Sequence, residues 1–231
     1  MDKRLKKIAE LVPTGAKVLD VGTDHGYLPM YLAQSAKIAC GIVSDVSRES
    51  LQKAQDLIKE QKMEHRLQSR VGSGLSVIEE KDGIDCIVIA GMGGHLIAKI
   101  LEEDKTLLVE TEPKLILQPM QNPEALRNYL LKNGYFIERE ALAEENRIYQ
   151  IIVAGFGESE EYNEMELLFG KSKHHLSAQE KDWYRQLLLG KKKELEKIIA
   201  HLLSSDAEDM ASIIDERKKQ MAQLDTILES L

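Results

Sequence analysis

The apolar positions in the first half of the chain fall in short runs that end in glycine or polar turns. Five such runs recur about every 20–30 residues with helix-length segments between them, at 17–22, 38–45, 65–72, 84–91 and 114–119. Strands alternating with helices predict βα units on a parallel sheet. The runs are almost continuously apolar, which indicates strands covered by helices on both faces.

Two further strand-like runs, 134–140 and 148–156, have no helix-length segment between them. They predict a hairpin, so that an antiparallel strand closes an otherwise parallel sheet. Five parallel strands followed by a hairpin are typical of the Rossmann-like class I methyltransferase fold, whereas a simple dinucleotide-binding domain would continue as βα units. We therefore expect an α/β domain over 1–157.

The last third of the chain has a helical pattern. The last proline is Pro123 and the last glycine is Gly190, so 191–231 contains neither residue that commonly interrupts helices. Segments 178–203 and 207–231 carry large residues at alternating spacings of four and three, which predicts two heptad seams in a helical hairpin. We expect a C-terminal, coiled-coil-like helical domain over 158–231, and neither seam is long enough to demand a dimer. The expected seam positions are Tyr184, Leu188, Lys191, Leu195, Ile198 and Leu202, then Met210, Ile214, Arg217, Met221, Leu224, Leu228 and Leu231.

Composition and charge bound the partners. The chain has 231 residues, 31 basic and 39 acidic, for a net charge of −8. The total argues against a nucleic-acid partner, but residues 171–203 carry 8 basic and 4 acidic residues, so the charge is segregated. Two cysteines suit a reducing compartment, and the sequence shows neither a leader-like segment nor a run of about 18 apolar residues. We expect a cytoplasmic protein.

The turn after the first run carries the strongest chemical signal. Asp20-x-Gly22-x-Asp24-x-Gly26, at the end of a strand, resembles the loop of methyltransferases, an acid followed by alternating glycines. In that loop a Cβ would clash with the methionine part of S-adenosylmethionine. The spacing differs from the GxGxxG turn of nicotinamide binders. Asp45 lies nineteen residues past Gly26 at the end of the second run, where an acid accepts hydrogen bonds from ribose hydroxyls. Together they predict an adenosine-type cofactor, although each acid alone is equally consistent with a turn or cap.

The third and fourth runs end in further candidate cofactor contacts. Gly72 and Ser73 follow the third run, and Ser73 stands where many methyltransferases have an acid for the adenine amino group. Gly91, Met92 and Gly93 follow the fourth, without the Asn-Pro-Pro-aromatic sequence that many enzymes acting on exocyclic amines carry. Ligands bind at this carboxyl edge of doubly wound sheets, and we expect Gly93 and Gly94 to leave room for a flat base.

The fifth run ends in a polar, proline-containing turn. Its residue Gln118 offers a donor and an acceptor together, so it either reads a base edge or stabilises the turn that continues through Pro119.

These motifs together carry a resemblance. The run DVGTDHGYLP at 20–29, GMGG at 91–94 and Gln118-Pro119 are similar to the bacterial tRNA (adenine(22)-N1)-methyltransferase family. The resemblance covers the whole chain and implies S-adenosylmethionine as methyl donor. It also implies adenine N1 in the D-arm region of tRNA as the acceptor.

Adenine N1 already has a lone pair, so we expect alignment and water exclusion to be the main tasks. Asp24 is the candidate to stabilise the positive charge that methylation creates. His25 is either catalytic or structural, Tyr27 shapes the pocket or packs, and Gln118 is the third candidate at the reacting base.

RNA contacts are expected from basic residues near the start and in the tail: Arg4, Lys173, Lys191 and Lys192, together with Tyr27 and Pro119. The same cations would also suit a solvated helix face. Two other functions stay open, a small-molecule methyltransferase and a non-enzymatic adapter with a vestigial pocket. We expect a monomer, no metal and no membrane partner.

Overall fold

The computed structural model describes residues 1–23, 25–171, 176–204 and 210–231. Its internal contacts divide the chain into two compact units, Met1–Glu161 and Tyr162–Leu231. The division falls four residues after the boundary expected at 157. Within the described ranges, no helix is long and apolar enough to cross a membrane, and no cluster of three or more metal-ligating side chains occurs.

The first unit is built on one seven-stranded sheet in the order β3-β2-β1-β4-β5-β7-β6. Its strands are β1 (Ala16–Val21), β2 (Ile38–Asp45), β3 (Leu67–Val71), β4 (Cys86–Gly93), β5 (Lys114–Gln121), β6 (Tyr135–Glu144) and β7 (Ile148–Phe156). The first five are parallel, and β7 pairs antiparallel with both β5 and β6. The predicted fold class is therefore confirmed, with the antiparallel strand inserted between β5 and the edge strand β6.

Helices cover both faces of the sheet. The helices of this unit are α1 (Lys3–Leu11), α2 (Tyr27–Gln34), α3 (Arg48–Glu60), α4 (Gly94–Glu103), α5 (Lys105–Thr111) and α6 (Pro123–Lys132). Helices α1 to α3 pack against the face that includes Val18, and α4 to α6 against the face that includes Leu19. Both residues are at most 1% exposed. Because successive side chains of β1 enter opposite cores, the strand reads as a continuous apolar run.

The strand order places a crevice at the middle of the sheet. Strand β1 lies between β2 and β4. Strands β2 and β3 are placed on one side of β1, and β4 and the strands that follow it are placed on the other side. Parallel sheets bind ligands at such a switch point, outside the carboxyl ends of the strands. The ends of β1, β2, β4 and β5, which carry most of the predicted site residues, therefore meet at one edge.

The second unit is helical, with α7 (Glu164–Phe169), α8 (Ala178–Ser204) and α9 (Ala211–Glu229). Helices α8 and α9 pack against each other, and the predicted seam residues Tyr184, Leu188, Leu195 and Leu224 are buried. Ile199 is buried where Ile198 was expected. Residues 205–209, which include part of the expected turn, lie outside the described residues.

Candidate active site

The first turn is fixed against the neighbouring strand. The backbone N–H groups of Gly22 and Thr23 both donate to the Ser44 carbonyl at the end of β2, at 2.8 and 3.1 Å. The Thr23 hydroxyl hydrogen-bonds the Asp20 carboxyl and accepts from the Gly26 N–H at 3.1 Å. Gly22 and Gly26 have φ angles of 75° and 70°, a region that favours glycine. The glycines predicted from the sequence therefore occupy the two positions of this turn whose backbone angles favour glycine.

Asp20 is a buried carboxyl at the end of β1, only 6% exposed. Burial raises its pKa to about 6, against the lowering effects of the Thr23 hydrogen bond and the Arg4 guanidinium, and Asp45 raises it further. A cationic ligand group placed here would favour the ionised carboxylate. The methionine part of S-adenosylmethionine carries an ammonium and a sulfonium, so the chemistry of this corner fits that cofactor.

Gly22 also lies against the fourth strand. A Cβ at Gly22 would overlap the terminal methyl Cε of Met92, which is half-buried at the end of β4. The first turn and the Gly91–Gly93 segment, both predicted to hold the cofactor, therefore share one space. A Cβ would fill part of that cradle.

The end of β2 forms the next part of the crevice. One carboxylate oxygen of Asp45 accepts the Ser47 N–H at 2.7 Å, at the start of α3, and the Asp45 carbonyl accepts the Gly72 N–H at 3.1 Å. Val46, between Asp45 and Ser47 in the chain, is 68% exposed, and Ser73 is exposed beside Gly72. Val46 therefore gives this part of the crevice an exposed aliphatic surface beside Asp45, the predicted ribose contact.

Gln118 is fully buried at the end of β5 and is used within the protein. Its Oε1 accepts from Arg4 Nη1 at 2.8 Å and from the Gly91 N–H at 3.2 Å. Its Nε2 donates to the Pro119 carbonyl at 2.8 Å and contacts Met120 Sδ at 3.6 Å. The geometry therefore makes Gln118 a link between the first helix and the end of β4, and its predicted contact with a base stays a prediction.

Arg4 is the predicted RNA contact that the structure places at this edge. Besides Gln118, its guanidinium lies 3.5 Å from Asp2 and 5.6 Å from the centre of the Tyr149 ring. Arg147 lies 4.9 Å from the same ring and donates to the Met120 carbonyl at 3.3 Å. Tyr149 and Arg147 were not predicted as site residues, because the hairpin pattern does not distinguish them from ordinary strand and turn residues.

His25, a candidate catalytic residue, and Tyr27, a predicted substrate contact, stand at the start of α2. Their rings are parallel, with centroids 5.2 Å apart, and Tyr27 is 53% exposed. Asp24, the third residue of this group and also a predicted cofactor contact, lies outside the described residues.

Gly93 and Gly94, which join β4 to α4, have different surroundings. A Cβ at Gly93 would meet nothing within 4 Å, whereas one at Gly94 would collide with the backbone carbonyl of Asn122. Gly94 is therefore required for packing between α4 and the turn after β5. The prediction that Gly94 leaves room for a flat base is therefore wrong, because the Asn122 backbone occupies that space, whereas the space beside Gly93 is open.

The predicted tail cations form ion pairs within the second unit. Lys191 pairs with Glu194 at 2.9 Å on α8, and Lys192 pairs with Asp225 of α9. Lys173 lies outside the described residues. The Lys192 pair also has a role in joining the two helices, which the sequence analysis did not foresee.

Comparison with known proteins agrees with this geometry. The family described as "Methyltransferase domain" matches residues 1–152. The strand order and the glycine-lined crevice, together with this match, define a methyltransferase domain.

Individual relatives show which methyltransferases this chain resembles. The tRNA (adenine(22)-N(1))-methyltransferase of Bacillus subtilis is 36% identical over 159 residues, which cover 68% of this chain and 66% of that protein. The aligned part therefore spans slightly less than two thirds of that relative. Streptococcus pneumoniae Sp1610, a putative tRNA (m1A22) methyltransferase, superposes with a TM-score of 0.89 at 30% identity over 99% of both chains. Its structure in complex with S-adenosyl-L-methionine gives 0.85 at 30% identity over the same shares. This chain belongs to the tRNA (adenine(22)-N1)-methyltransferase family.

Proposed function

We propose that the protein transfers the methyl group of S-adenosylmethionine to N1 of adenine 22 in tRNA. The observation that carries this proposal is the crevice at the switch point of the sheet, which is lined by buried Asp20, the Gly22 turn, Asp45 and the Gly91–Gly93 segment of β4. The named activities of the relatives support the choice of acceptor.

The cofactor would be held by residues at the ends of β1 to β4. Asp20 and the Gly22–Gly26 turn would hold its methionine part, Asp45 the ribose, and Gly72 and Ser73 the adenine, with Met92 on the other side. When bound, the cofactor supplies an electrophilic methyl group on a sulfonium. Because Gly22 has no side chain, the backbone can approach that group closely.

The remaining catalytic work is alignment and charge stabilisation. Adenine N1 has an in-plane lone pair, so no general base is required to create the nucleophile. Asp24 would stabilise the positive charge that develops on the base, and His25 and Tyr27 would border the same pocket. N1 is engaged in paired or stacked RNA, so the target base would be flipped out to reach the site.

Gln118 and Arg4 are proposed as positioning residues for this reaction. Gln118 Oε1 joins the Arg4 guanidinium to the Gly91 N–H, so one carboxamide holds two walls of the crevice. Buried hydrogen bonds of this kind fix a side chain in one orientation. The Arg4 guanidinium would then be held at the carboxyl edge, beside the Gly91 backbone.

Each unit has a proposed role. The region 1–157 would carry the methyltransferase site, and 158–231 would add RNA contacts through Lys173, Lys191 and Lys192. We propose a monomer, because the buried seam residues of α8 and α9 pack within one chain. A cytoplasmic location is proposed because a tRNA substrate would be found there.

A transfer assay tests the function against its rivals. The full chain is incubated with tritiated S-adenosylmethionine and unmodified tRNA, with matched reactions lacking RNA. We expect label in tRNA only. Transfer in the RNA-free reaction would indicate a small-molecule enzyme, and cofactor binding without transfer to any RNA would indicate an adapter.

A further inference from the structure

The face formed by α1 and α2 exposes two large aromatic side chains. Tyr27 is 53% exposed and Tyr31 is 44% exposed. They lie four residues apart on α2, so their side chains share one side of the helix, separated by about 6 Å along its axis. Tyr27 follows Gly26 directly and therefore stands next to the crevice, while Tyr31 lies one turn further from it.

Positive side chains border the second tyrosine. An open groove of about 460 Å³ beside Tyr31 is lined by Lys6, Glu10 and Lys37, among others. Lys37 donates to the Glu10 carbonyl at 2.8 Å, and the Glu10 carboxylate is 3.7 Å from Lys7. In the part of the chain that the structure describes, neither Lys6 nor Lys37 has a carboxylate within 4 Å. Both ammonium groups therefore keep their charge available for a ligand.

We infer that this α1–α2 surface binds the RNA strand that flanks the target nucleotide. Exposed aromatic rings stack on unpaired bases, and neighbouring lysines neutralise the phosphates. The inference rests on the proposed function and adds to it a binding surface with Tyr31, Lys6 and Lys37 as its contacts. A flipped nucleotide leaves its neighbours unstacked, and the Tyr27 and Tyr31 rings lie where the strand would leave the crevice.

Variants of Tyr31 test the stacking contact in the full chain. Tyr31→Ala should weaken the binding of unmodified tRNA about tenfold, since each base–aromatic stack is worth about that much or more. Tyr31→Phe keeps the ring and should bind within about twofold of the parent. Val109→Ala is the matched control, because Val109 is a 53% exposed apolar residue on α5, which packs on the opposite face of the sheet.

Variants of Lys6 test the phosphate contact. Lys6→Ala should lower the slope of log Kd against log salt concentration by about one unit. The matched control is Lys81→Ala, since the Lys81 side chain is 77% exposed just before β4 and is paired with Glu79. It should leave the slope unchanged.

The outcomes separate this inference from the proposed function. Parent-like tRNA affinity and salt dependence in Tyr31→Ala and Lys6→Ala, with normal tRNA methylation by the parent, would overturn the inference alone. A change of sedimentation coefficient in Tyr31→Ala without a change in tRNA affinity would assign the surface to a second copy of the chain. A parent protein that neither binds nor methylates tRNA would overturn both. Cofactor affinity, measured by calorimetry, should be the same in all five variants as in the parent.

Discussion

Arg4 of the first helix donates a 2.8 Å hydrogen bond to Oε1 of Gln118, 114 positions further along the chain. The same oxygen accepts the backbone N–H of Gly91. One buried carboxamide thus fixes the first helix to the end of β4, at the edge where the cofactor and base would meet.

This link predicts coupling between two substitutions. Arg4→Ala and Gln118→Ala should each lower kcat/KM for tRNA at least about tenfold, because each frees the same wall of the crevice. The double variant should be no worse than the poorer single one, since residues that share one interaction are not additive. Steady-state kinetics of the four proteins measures this coupling.

Two further variants distinguish a positioning role of Gln118 from a role in folding. Gln118→Glu keeps an acceptor oxygen and should recover part of the lost kcat, while Lys3→Ala serves as a nearby surface control. Fully additive losses in the double variant would show that Arg4 and Gln118 act independently.

The raised pKa of Asp20 predicts a conflict between stability and binding. A carboxyl whose pKa rises to about 6 on folding binds more protons in the folded than in the unfolded state. Its contribution to stability is therefore complete below its unfolded pKa of about 3.9 and is lost as pH rises through about 6. Asp20→Asn should raise the free energy of unfolding at pH 7.5 by up to about 3 kcal/mol.

The same variant should bind S-adenosylmethionine at least about tenfold more weakly at pH 7.5, because a charge-assisted contact is lost. Urea unfolding at pH 4 and pH 7.5, with calorimetry of cofactor binding, gives both quantities. Lower stability together with unchanged cofactor affinity would show that Asp20 has only a structural role.

Adjacent glycines give a matched pair of variants. Gly94→Ala places a Cβ against the Asn122 backbone carbonyl, so it should lower the free energy of unfolding by about 1–3 kcal/mol. Gly93→Ala meets nothing within 4 Å and should change it by less than about 0.5 kcal/mol. Thermal unfolding of both proteins checks this difference, and equal destabilisation would contradict the packing described for α4.

Asp45 provides a separate test of the cofactor site. Asp45→Ala should weaken S-adenosylmethionine binding about 10- to 100-fold, the range expected when hydrogen bonds to a charged group are lost. Asp45→Asn can still accept the Ser47 N–H, so it separates the ribose contact from the turn. Calorimetry on both variants measures the effect, and unchanged affinity in Asp45→Ala would remove it from the ribose site.

The strands were predictable because their burial on both faces leaves a local signal. Val18 and Leu19 enter opposite cores, and that arrangement appears in the sequence as an unbroken apolar run. The helical seam was predictable only in part. A strict heptad repeat drifts by about 20° per seven residues relative to a straight helix, which accounts for buried Ile199 in place of Ile198.

The candidate site shows the same limit. The acids and glycines of the first turn are close in sequence, so their pattern could be recognised directly. The link from Arg4 to Gln118, and the place of Tyr149 between Arg4 and Arg147, depend on strands that meet only in the folded chain. No local pattern marks such contacts, because the sheet order brings them together.

The proposed reaction methylates a single atom, N1, of a single nucleotide, adenine 22 of tRNA. The most direct measurement uses a pair of unmodified tRNA transcripts that differ only at position 22, one with adenine and one with guanine, followed by mass-spectrometric mapping of the product. We predict N1-methyladenosine at position 22 of the first transcript and no methylation of the second. Equal methylation of both transcripts, or a methyl group mapped to another position, would contradict it.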